Sequence, residues 1–457
     1  MKFDLGLGDG EETFLAYVQP NVTAFYNGEP PAHKPVVPKH NGLAGVFVNM
    51  GNQPLSVFWE PYRGGTGSLI DHLAPFGAGG TASFPGHLFY LTPRHDPNNI
   101  LIRFTVGKAP DNLHVYDPYH VEGDEAKTES NLAVLSEQDR ANYMLMRKTY
   151  LFGLEYKKFT GRSYLVNYPR ARPSHHMWRA EYFGQEHWVT TRETHFAELP
   201  PPHERLRINP NPKKRILKDS DPRLLSDYRT GEPILNMTLK VLSCAPRVFE
   251  IKNFLSQVEV DHILDLAASE KLALSTTGMG DDDVETNTRR TRTSYNSWVE
   301  RERSPIVDAI YRRSADLLRI DEALLRKRDA HENPELETKN TIAESLQLVH
   351  YDPDQEYTAH HDFGYSDLEK EDQSQRFATL LFYLNEGMVG GSTSFPRWLN
   401  AETFEELRVI PETGKAVLFY SQLPDGNMDD LSQHQANKVL RGEKWLINLW
   451  VWSPLYS

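Results

Sequence analysis

The 457-residue sequence contains one cysteine, Cys244. No intramolecular disulfide can staple the chain, which fits a reducing compartment. No apolar run reaches the about 18 residues that a membrane-spanning helix needs, and the opening MKFDLGLGDGEE lacks the apolar stretch of a signal peptide. With Met1 as the native start, a cytoplasmic or nuclear protein is expected; a leader or anchor removed ahead of it would restore the endoplasmic reticulum as the alternative. Positive charge is also short: 50 Lys and Arg stand against 63 Asp and Glu, a net charge of -13. A nucleic-acid partner wants a basic face and is not expected, whereas a basic peptide is compatible with this balance. Asn21 and Asn236 each open an N-x-T glycosylation triplet.

The chain does have 39% hydrophobic and 11% aromatic residues, enough for real cores in two or three domains. Residues 1–40, punctuated by Pro and Gly, read as an N-terminal arm. Residues 41–117 hold short runs rich in β-branched and aromatic residues (GVFVNM, PLSVFWEPY, HLFYLT, NILIRFTV) separated by Gly, Asn and Pro, the pattern of a small antiparallel β-domain. Residues 118–241 read as a helical and irregular linker region. Ser136 with Asp139 three residues later predicts a helix start. His175, His176, His187 and His195 sit among aromatics at spacings that match no ligand pattern, so surface or packing roles are expected. The stretch LPPPHERLRINPNPKKRILKDSDP reads as a basic, Pro-rich arm.

A last domain is expected over residues 242–457. Ser256 and Glu259 form a capping box for a helix whose apolar face is Val260, Ile263, Leu264 and Ala267. The polar loop before Arg292 has the length of a lid, Ser304-Pro305 starts a second helix, and LRKRDAHENPELETKN reads as a solvated excursion. The chemistry centres on YDPDQEYTAHHD, residues 351–362. His360 and Asp362 stand two apart, the spacing at which strand side chains share a face, and both can reach one metal. His434 is the third candidate. Two imidazoles and one carboxylate that leave positions open suit a non-haem Fe(II) centre better than a closed structural zinc site. Lys444, ten residues after His434, is a cation suited to the far carboxylate of 2-oxoglutarate. If Lys444 points inward, strand parity turns Leu446, Asn448, Trp450 and Trp452 inward as well.

From about Leu242 to Pro454 the chain resembles the prolyl 4-hydroxylase family of Fe(II)/2-oxoglutarate dioxygenases. The likeness is carried by ESLQLVHYDPDQEYTAHHDF, RFATLLFYLN, GGSTSFP and HQANKVLRGEKWLINLWVW, in that order. It implies a mainly β, α+β fold: a double-stranded β-helix (jelly-roll) core with flanking helices. It implies Fe(2+) held by His360, Asp362 and His434, with 2-oxoglutarate as cosubstrate, O2 as oxidant and ascorbate as a further cofactor. Lys444 would pair with the distal carboxylate of 2-oxoglutarate beside Tyr351 and Thr393. Arg376 and Trp450 fall on catalytic positions, and Arg292, Ser294 and Glu344 on substrate-binding ones. Trp452 stands where the family has a histidine of the peptide groove, which leaves the iron chemistry intact and puts the preference for a prolyl peptide in question.

Within the β-domain, FVNMGNQPLSVFW, LAPFG and SFPGHLFYL resemble the β-domain of the von Hippel–Lindau protein. That resemblance implies a hydroxyproline reader with Ser83 and His87 on matching positions and Phe89 where the family has tryptophan; a β-sandwich used for packing is the alternative. Two functions follow. One is a dioxygenase acting on a protein or peptide substrate, with peptidyl proline converted to 4-hydroxyproline or another substrate in its place. The other is a recognition protein in which the β-domain binds hydroxylated peptides.

Overall fold

The structure is a computed structural model that describes residues 43–107, 113–199 apart from 161, 167, 169, 171 and 192, then 235–269, 272–275, 292–328, 341–363, 374–399 and 406–453. The expected N-terminal arm, the Pro-rich basic stretch after Leu199, the lid before Arg292 and most of the charged excursion after Arg328 lie outside the described residues.

Seven short strands open the described chain: β1 (Leu43–Asn49), β2 (Leu55–Glu60), β3 (Ser68–Leu73), β4 (Ala78–Ser83), β5 (Leu88–Pro93), β6 (Ile102–Thr105) and β7 (Leu113–Tyr116). They form two sheets, β4-β1-β7 and β3-β2-β5-β6. Alternation along β1 divides its side chains between two cores. Phe47 packs with Leu55, Val57, Leu73, Phe89 and Leu91 between the sheets. Val46 and Val48 face away, toward the rest of the molecule. Phe89 is therefore a core residue, 2% exposed and 4.9 Å from Phe47, and does not line a binding surface as its position in the resemblance implied.

Two helices follow, α1 (Glu125–Leu132) and α2 (Glu137–Thr160). Asp124 caps the first by accepting from Lys127 N–H, and Ser136 caps the second by accepting from Asp139 N–H at 3.1 Å. Tyr143 and Met146 of α2 join Val46, Val48, Met50, Phe76, Leu165, Val166, Phe363 and Met428 in one buried cluster. That cluster spans both halves of the chain.

The remaining strands are β8 (Glu186–Thr191), β9 (Leu235–Cys244), β10 (Arg247–Ile251), β11 (Ala273–Leu274), β12 (Tyr295–Val299), β13 (Leu346–Tyr351), β14 (Tyr357–His360), β15 (Gln375–Tyr383), β16 (Val389–Gly390), β17 (Thr393–Leu399), β18 (Glu406–Val409), β19 (Ala416–Tyr420), β20 (His434–Ala436), β21 (Val439–Arg441) and β22 (Lys444–Ser453). A nine-stranded sheet runs β11-β12-β13-β22-β15-β19-β10-β9-β8, and a four-stranded sheet runs β14-β20-β17-β18. These are the two walls of the jelly roll. Helices α3 (Gln257–Ser269) and α4 (Pro305–Leu318) accompany the larger sheet.

Period-2 alternation sorts the large sheet. Leu346 and Leu348, Leu380 and Phe382, Leu418 and Tyr420, and Ile447 and Leu449 pack in one cluster with residues of α3 and α4. Their neighbours Val349, Tyr351, Leu381, Tyr383, Val417, Phe419 and Leu446 pack in a second cluster between the two sheets, together with Phe395, Val409 and Ala436. The boundary expected at residue 242 falls inside β9, and β8 already pairs with β9 over residues 186–191. Part of the expected linker region is thus an edge of the catalytic sheet. Its amphipathic strand, with Val189 and Thr191 buried, was too short and too flanked by loop residues to declare itself. None of the helices among the described residues is long and apolar enough to cross a membrane.

Candidate active site

Three side chains meet at one end of the jelly roll. His360 ends β14, Asp362 follows it and His434 begins β20; β14 and β20 pair directly, with His360 opposite His434. One ligand atom from each lies within 4.8 Å of the others. His360 Nε2 is 3.7 Å from Asp362 Oδ1, and His434 Nε2 is 3.6 Å from Asp362 Oδ2. The far ring nitrogens explain this aim. His360 Nδ1 is 2.8 Å from Thr358 O and His434 Nδ1 is 3.1 Å from Ser432 O. A carbonyl only accepts, so each Nδ1 carries the proton and each Nε2 keeps its lone pair for a metal.

Asp362 is held as tightly. Its Oδ2 accepts from Thr379 Oγ1 at 2.7 Å and from Trp450 Nε1 at 3.0 Å. Burial raises a carboxyl pKa, but the neighbouring His434 and His360, with Arg376 and the Thr379 hydroxyl, outweigh it and hold Asp362 well below the usual carboxylate range. Burial and His434 together push the His360 imidazole down. Both directions favour metal-binding forms: an ionised carboxylate and a neutral imidazole.

A cavity of about 300 Å³ opens beside these groups, lined by Arg292, Trp298, Gln347, Tyr351, Tyr357, Arg376, Leu381, Thr393, Asn448 and Trp450 among others. Lys444 lies on the same strand face as Leu446, Asn448 and Trp450. Its Nζ is buried, has no hydrogen-bond partner among the described residues, and sits 5.4 Å from the Tyr351 ring and 5.7 Å from the Tyr383 ring. Burial pushes its pKa down to about 7. A buried ammonium without a counter-charge is costly, and one dicarboxylate would remove that cost. Thr393, expected beside it, has its hydroxyl 2.8 Å from Tyr383, which donates to it. Gly391 lies beside the lysine stem at a φ of +69°, where a Cβ would stand 3.1 Å from Met388 Cγ and 3.5 Å from Lys444 Cδ.

The expected substrate residues form two groups. Arg376 makes a bidentate pair with Glu344 at 2.6 and 2.9 Å, and its guanidinium stacks 3.8 Å from the Trp450 ring centroid. Arg292 donates to Ser294 Oγ at 3.1 Å and to Gln347 Oε1 at 3.2 Å, and lies 4.6 Å over the Tyr357 ring. Parity correctly turns Trp450 into the cavity. Trp452, expected there too, is not a wall of it; its indole N–H donates to Glu344 Oε1 at 2.7 Å. The register between β15 and β22 shifts between Arg376 and Ala378, next to Trp452, so the simple alternation ends there.

Several contributors escaped the sequence reading. Thr379 lies two residues before the inward Leu381, so parity along β15 would have found it. Tyr357 stacks on His360 with ring centroids 3.6 Å apart. These two stand three positions apart on one strand, an odd spacing that a register shift between Tyr357 and His360 accommodates. His361 turns elsewhere, donating from Nε2 to Asp430 O at 3.0 Å; burial and Arg397 push its pKa down to about 4. Of the four upstream histidines, His175 packs on Phe377, His176 and His187 both lie against Trp178, and His187 and His195 bond the Arg179 and Phe254 carbonyls. In the β-domain, Ser83 Oγ and His87 Nδ1 are 3.1 Å apart.

The sequence model of the 2OG-Fe(II) oxygenase superfamily matches residues 346–452, which contain the triad and Lys444. Probable prolyl 4-hydroxylase 3 of Arabidopsis thaliana is 31% identical over 224 residues, covering 46% of this chain and 71% of the relative. Prolyl 4-hydroxylase 1 of the same plant is 32% identical over 248 residues, covering 52% and 77%. Among solved structures, the viral collagen prolyl hydroxylase vCPH from Paramecium Bursaria Chlorella virus-1, in its 2OG complex, is 22% identical with a TM-score of 0.33, covering 45% of this chain and 96% of that one. A prolyl-4-hydroxylase from Pseudomonas putida is 19% identical with a TM-score of 0.29, covering 45% and 91%. With a histidine–aspartate–histidine cluster in a jelly roll and this length of shared sequence, the chain belongs to the prolyl 4-hydroxylase family of 2OG-Fe(II) oxygenases.

Proposed function

We propose that the protein hydroxylates prolyl residues of a protein or peptide, using Fe(II), 2-oxoglutarate and dioxygen. The observation that carries this reading is a metal-competent triad in the same site as the buried Lys444 Nζ, which stands beside Tyr351 of the cavity wall and has no hydrogen-bond partner among the described residues. The triad is a donor set for Fe(II) that leaves coordination positions open, and Lys444 supplies the counter-charge for a dicarboxylate. The chemistry such a pair would supply when bound is oxidation of a substrate C–H to C–OH coupled to conversion of 2-oxoglutarate to succinate and carbon dioxide, one oxygen atom of dioxygen going to each product.

The chain's own part is positional. His360 and His434 present Nε2 because their Nδ1–H groups are committed to carbonyls. Thr379 and Trp450 fix the Asp362 carboxylate. The Lys444 ammonium, with Tyr351 and Thr393 on the cavity wall, orients the far end of the cosubstrate. Trp298, Tyr357 and Trp450 give aromatic walls suited to the flat, apolar face of a proline ring, and Arg376 and Arg292 offer donors to peptide carbonyls. The plant relatives carry the name prolyl 4-hydroxylase, which supports proline as the target. The test is incubation of the metal-loaded protein with proline-rich peptides. Succinate formed in step with a one-oxygen mass gain on proline supports the reading, and succinate without peptide oxidation redirects it to another substrate.

We further propose that the β-domain holds peptide near the site. The Ser83–His87 pair supports it, with Trp59 6.0 Å and the exposed Phe84 5.4 Å from the imidazole. Titration of the full chain and of His87→Ala with prolyl and hydroxyprolyl peptides tests it; equal affinities in all four combinations would leave the domain a packing element.

A further inference from the structure

Both segments that carry the metal-facing side chains rest on the N-terminal half. The segment leading into β20 presents Asp425, Asn427 and Asp429 to residues 156–165. Tyr156 donates its hydroxyl to Asp425 Oδ2 at 2.7 Å, and Arg162 Nη1 lies 2.9 Å from Asp429 Oδ1. Asn427 is gripped in both directions, accepting from Leu165 N–H at 2.8 Å and donating to Ser163 O at 3.0 Å. Met428, between them, is buried with Val46, Val48 and Met146. On the other side, Phe363, next to Asp362, belongs to the same buried cluster.

The path from these contacts to the triad is short. Asp429 caps the following turn, Asp430–Ser432, by accepting from Leu431 N–H at 3.1 Å. Ser432 O at the end of that turn accepts the proton of His434 Nδ1. The direction of an imidazole lone pair is set by the bond its other nitrogen makes, so the turn aims His434 Nε2, and Arg162 and Asn427's partners locate the turn. We propose that Arg162 is a positioning residue for His434, and that the N-terminal half completes the iron site instead of being an appended module. This rests on the triad being an iron site.

Cobalt(II) is the probe, because its visible absorption reports binding to the full-length apoprotein without turnover. Wild type, Arg162→Ala, Arg162→Lys, Asp429→Asn and Thr191→Val are titrated and melted in parallel. Thr191→Val removes the Thr191–Asp316 hydrogen bond, a contact of β8 with α4 that involves neither residues 156–165 nor the turn. Loss of Arg162 is expected to raise the cobalt dissociation constant about tenfold, the scale of a lost outer-shell partner. Lysine should restore most of the affinity, and Thr191→Val should lower the melting temperature at unchanged cobalt affinity. Cobalt affinity unchanged in Arg162→Ala, or lowered equally in Thr191→Val, overturns the proposal. Should Arg162→Ala fail to fold, Asp429→Asn, which keeps the cap but not the charge, decides by the same two readings. A wild type that binds no cobalt defeats the iron-site reading itself, a distinct outcome.

Discussion

On the helix side of the nine-stranded sheet, Arg313 is fully buried with every need met. It pairs with Glu259 at 2.7 and 3.0 Å and donates to the Phe254 and Thr194 carbonyls. On the opposite face, Lys444 is equally buried, and its Nζ faces the Tyr351 and Tyr383 rings with no hydrogen-bond partner among the described residues. The two sides of one sheet thus carry these interior cations, Arg313 of α4 and Lys444 of β22, under opposite rules. One is closed by its protein partners, and the other is left for the ligand that the proposed function places there. The lesson is that an unpartnered buried charge marks a binding site more sharply than the presence of charge does.

The most severe way to test the open face is to remove what the ligand would meet. His434→Ala or Asp362→Ala is expected to abolish 2-oxoglutarate turnover while the melting temperature stays near wild type, measured by succinate release and circular dichroism. Turnover close to normal in either variant would mean the triad is not the metal site.

The two cations then give opposite stability responses. Arg313→Met strands Glu259 inside the core and should cost about 3–5 kcal/mol of stability, as broken buried pairs do. Lys444→Met removes a charge that has no partner to strand, so the ligand-free protein should be as stable as wild type or more so by denaturant titration. The same variant should lose 2-oxoglutarate affinity by about 3–5 kcal/mol. If both substitutions destabilise the ligand-free protein alike, the contrast between the faces is broken.

A pH titration sharpens the contrast. The Lys444 pKa is lowered from 10.5 to about 7 in the folded, ligand-free protein. From this group alone, stability rises as pH climbs from about 7 to 10.5, because the unfolded chain binds the proton there and the folded one does not. Binding of a dicarboxylate needs the charged form, so above pH 7 it must take up a proton. The 2-oxoglutarate dissociation constant is expected to rise about tenfold per pH unit above 7, with calorimetric proton uptake, and Lys444→Met should erase that slope. A flat profile in wild type would mean that the lysine stays charged without its ligand.

The open face was the legible one. His360 and Asp362 stand two apart at a strand end, Lys444 and Trp450 share one face along β22, and such spacing is visible in a sequence. The closed face was legible only halfway. Glu259 announced itself as the partner of Ser256, and it does accept from Ser256 N–H at 2.9 Å, but nothing local in the sequence points from it to Arg313, 54 residues on. The clamp on His434 was hidden for the same reason: its hydrogen bonds join residues more than 260 apart. Local patterns also failed where backbone irregularity intervened, at the register shifts beside Tyr357 and Trp452. Phe89 was misplaced because a family position specifies a site in a chain and not the face that site's side chain takes.

Between the two faces, at the cavity rim, stands a pair that shares both characters. Arg376 and Glu344 neutralise one another, yet Arg376 also stacks on Trp450, whose indole holds Asp362. Trp452 adds a third donor to Glu344. Trp452→Phe removes that donor and keeps most of the bulk, leaving Glu344 still satisfied by the guanidinium. The loss should be about 1 kcal/mol, the worth of one hydrogen bond, and it should fall on the orientation of Arg376. The expected outcome is a several-fold higher KM for peptide with 2-oxoglutarate decay in the absence of peptide unchanged. Equal losses in both would place Trp452 with the closed face, as a packing residue of the barrel end, and the rim would then carry no specificity of its own.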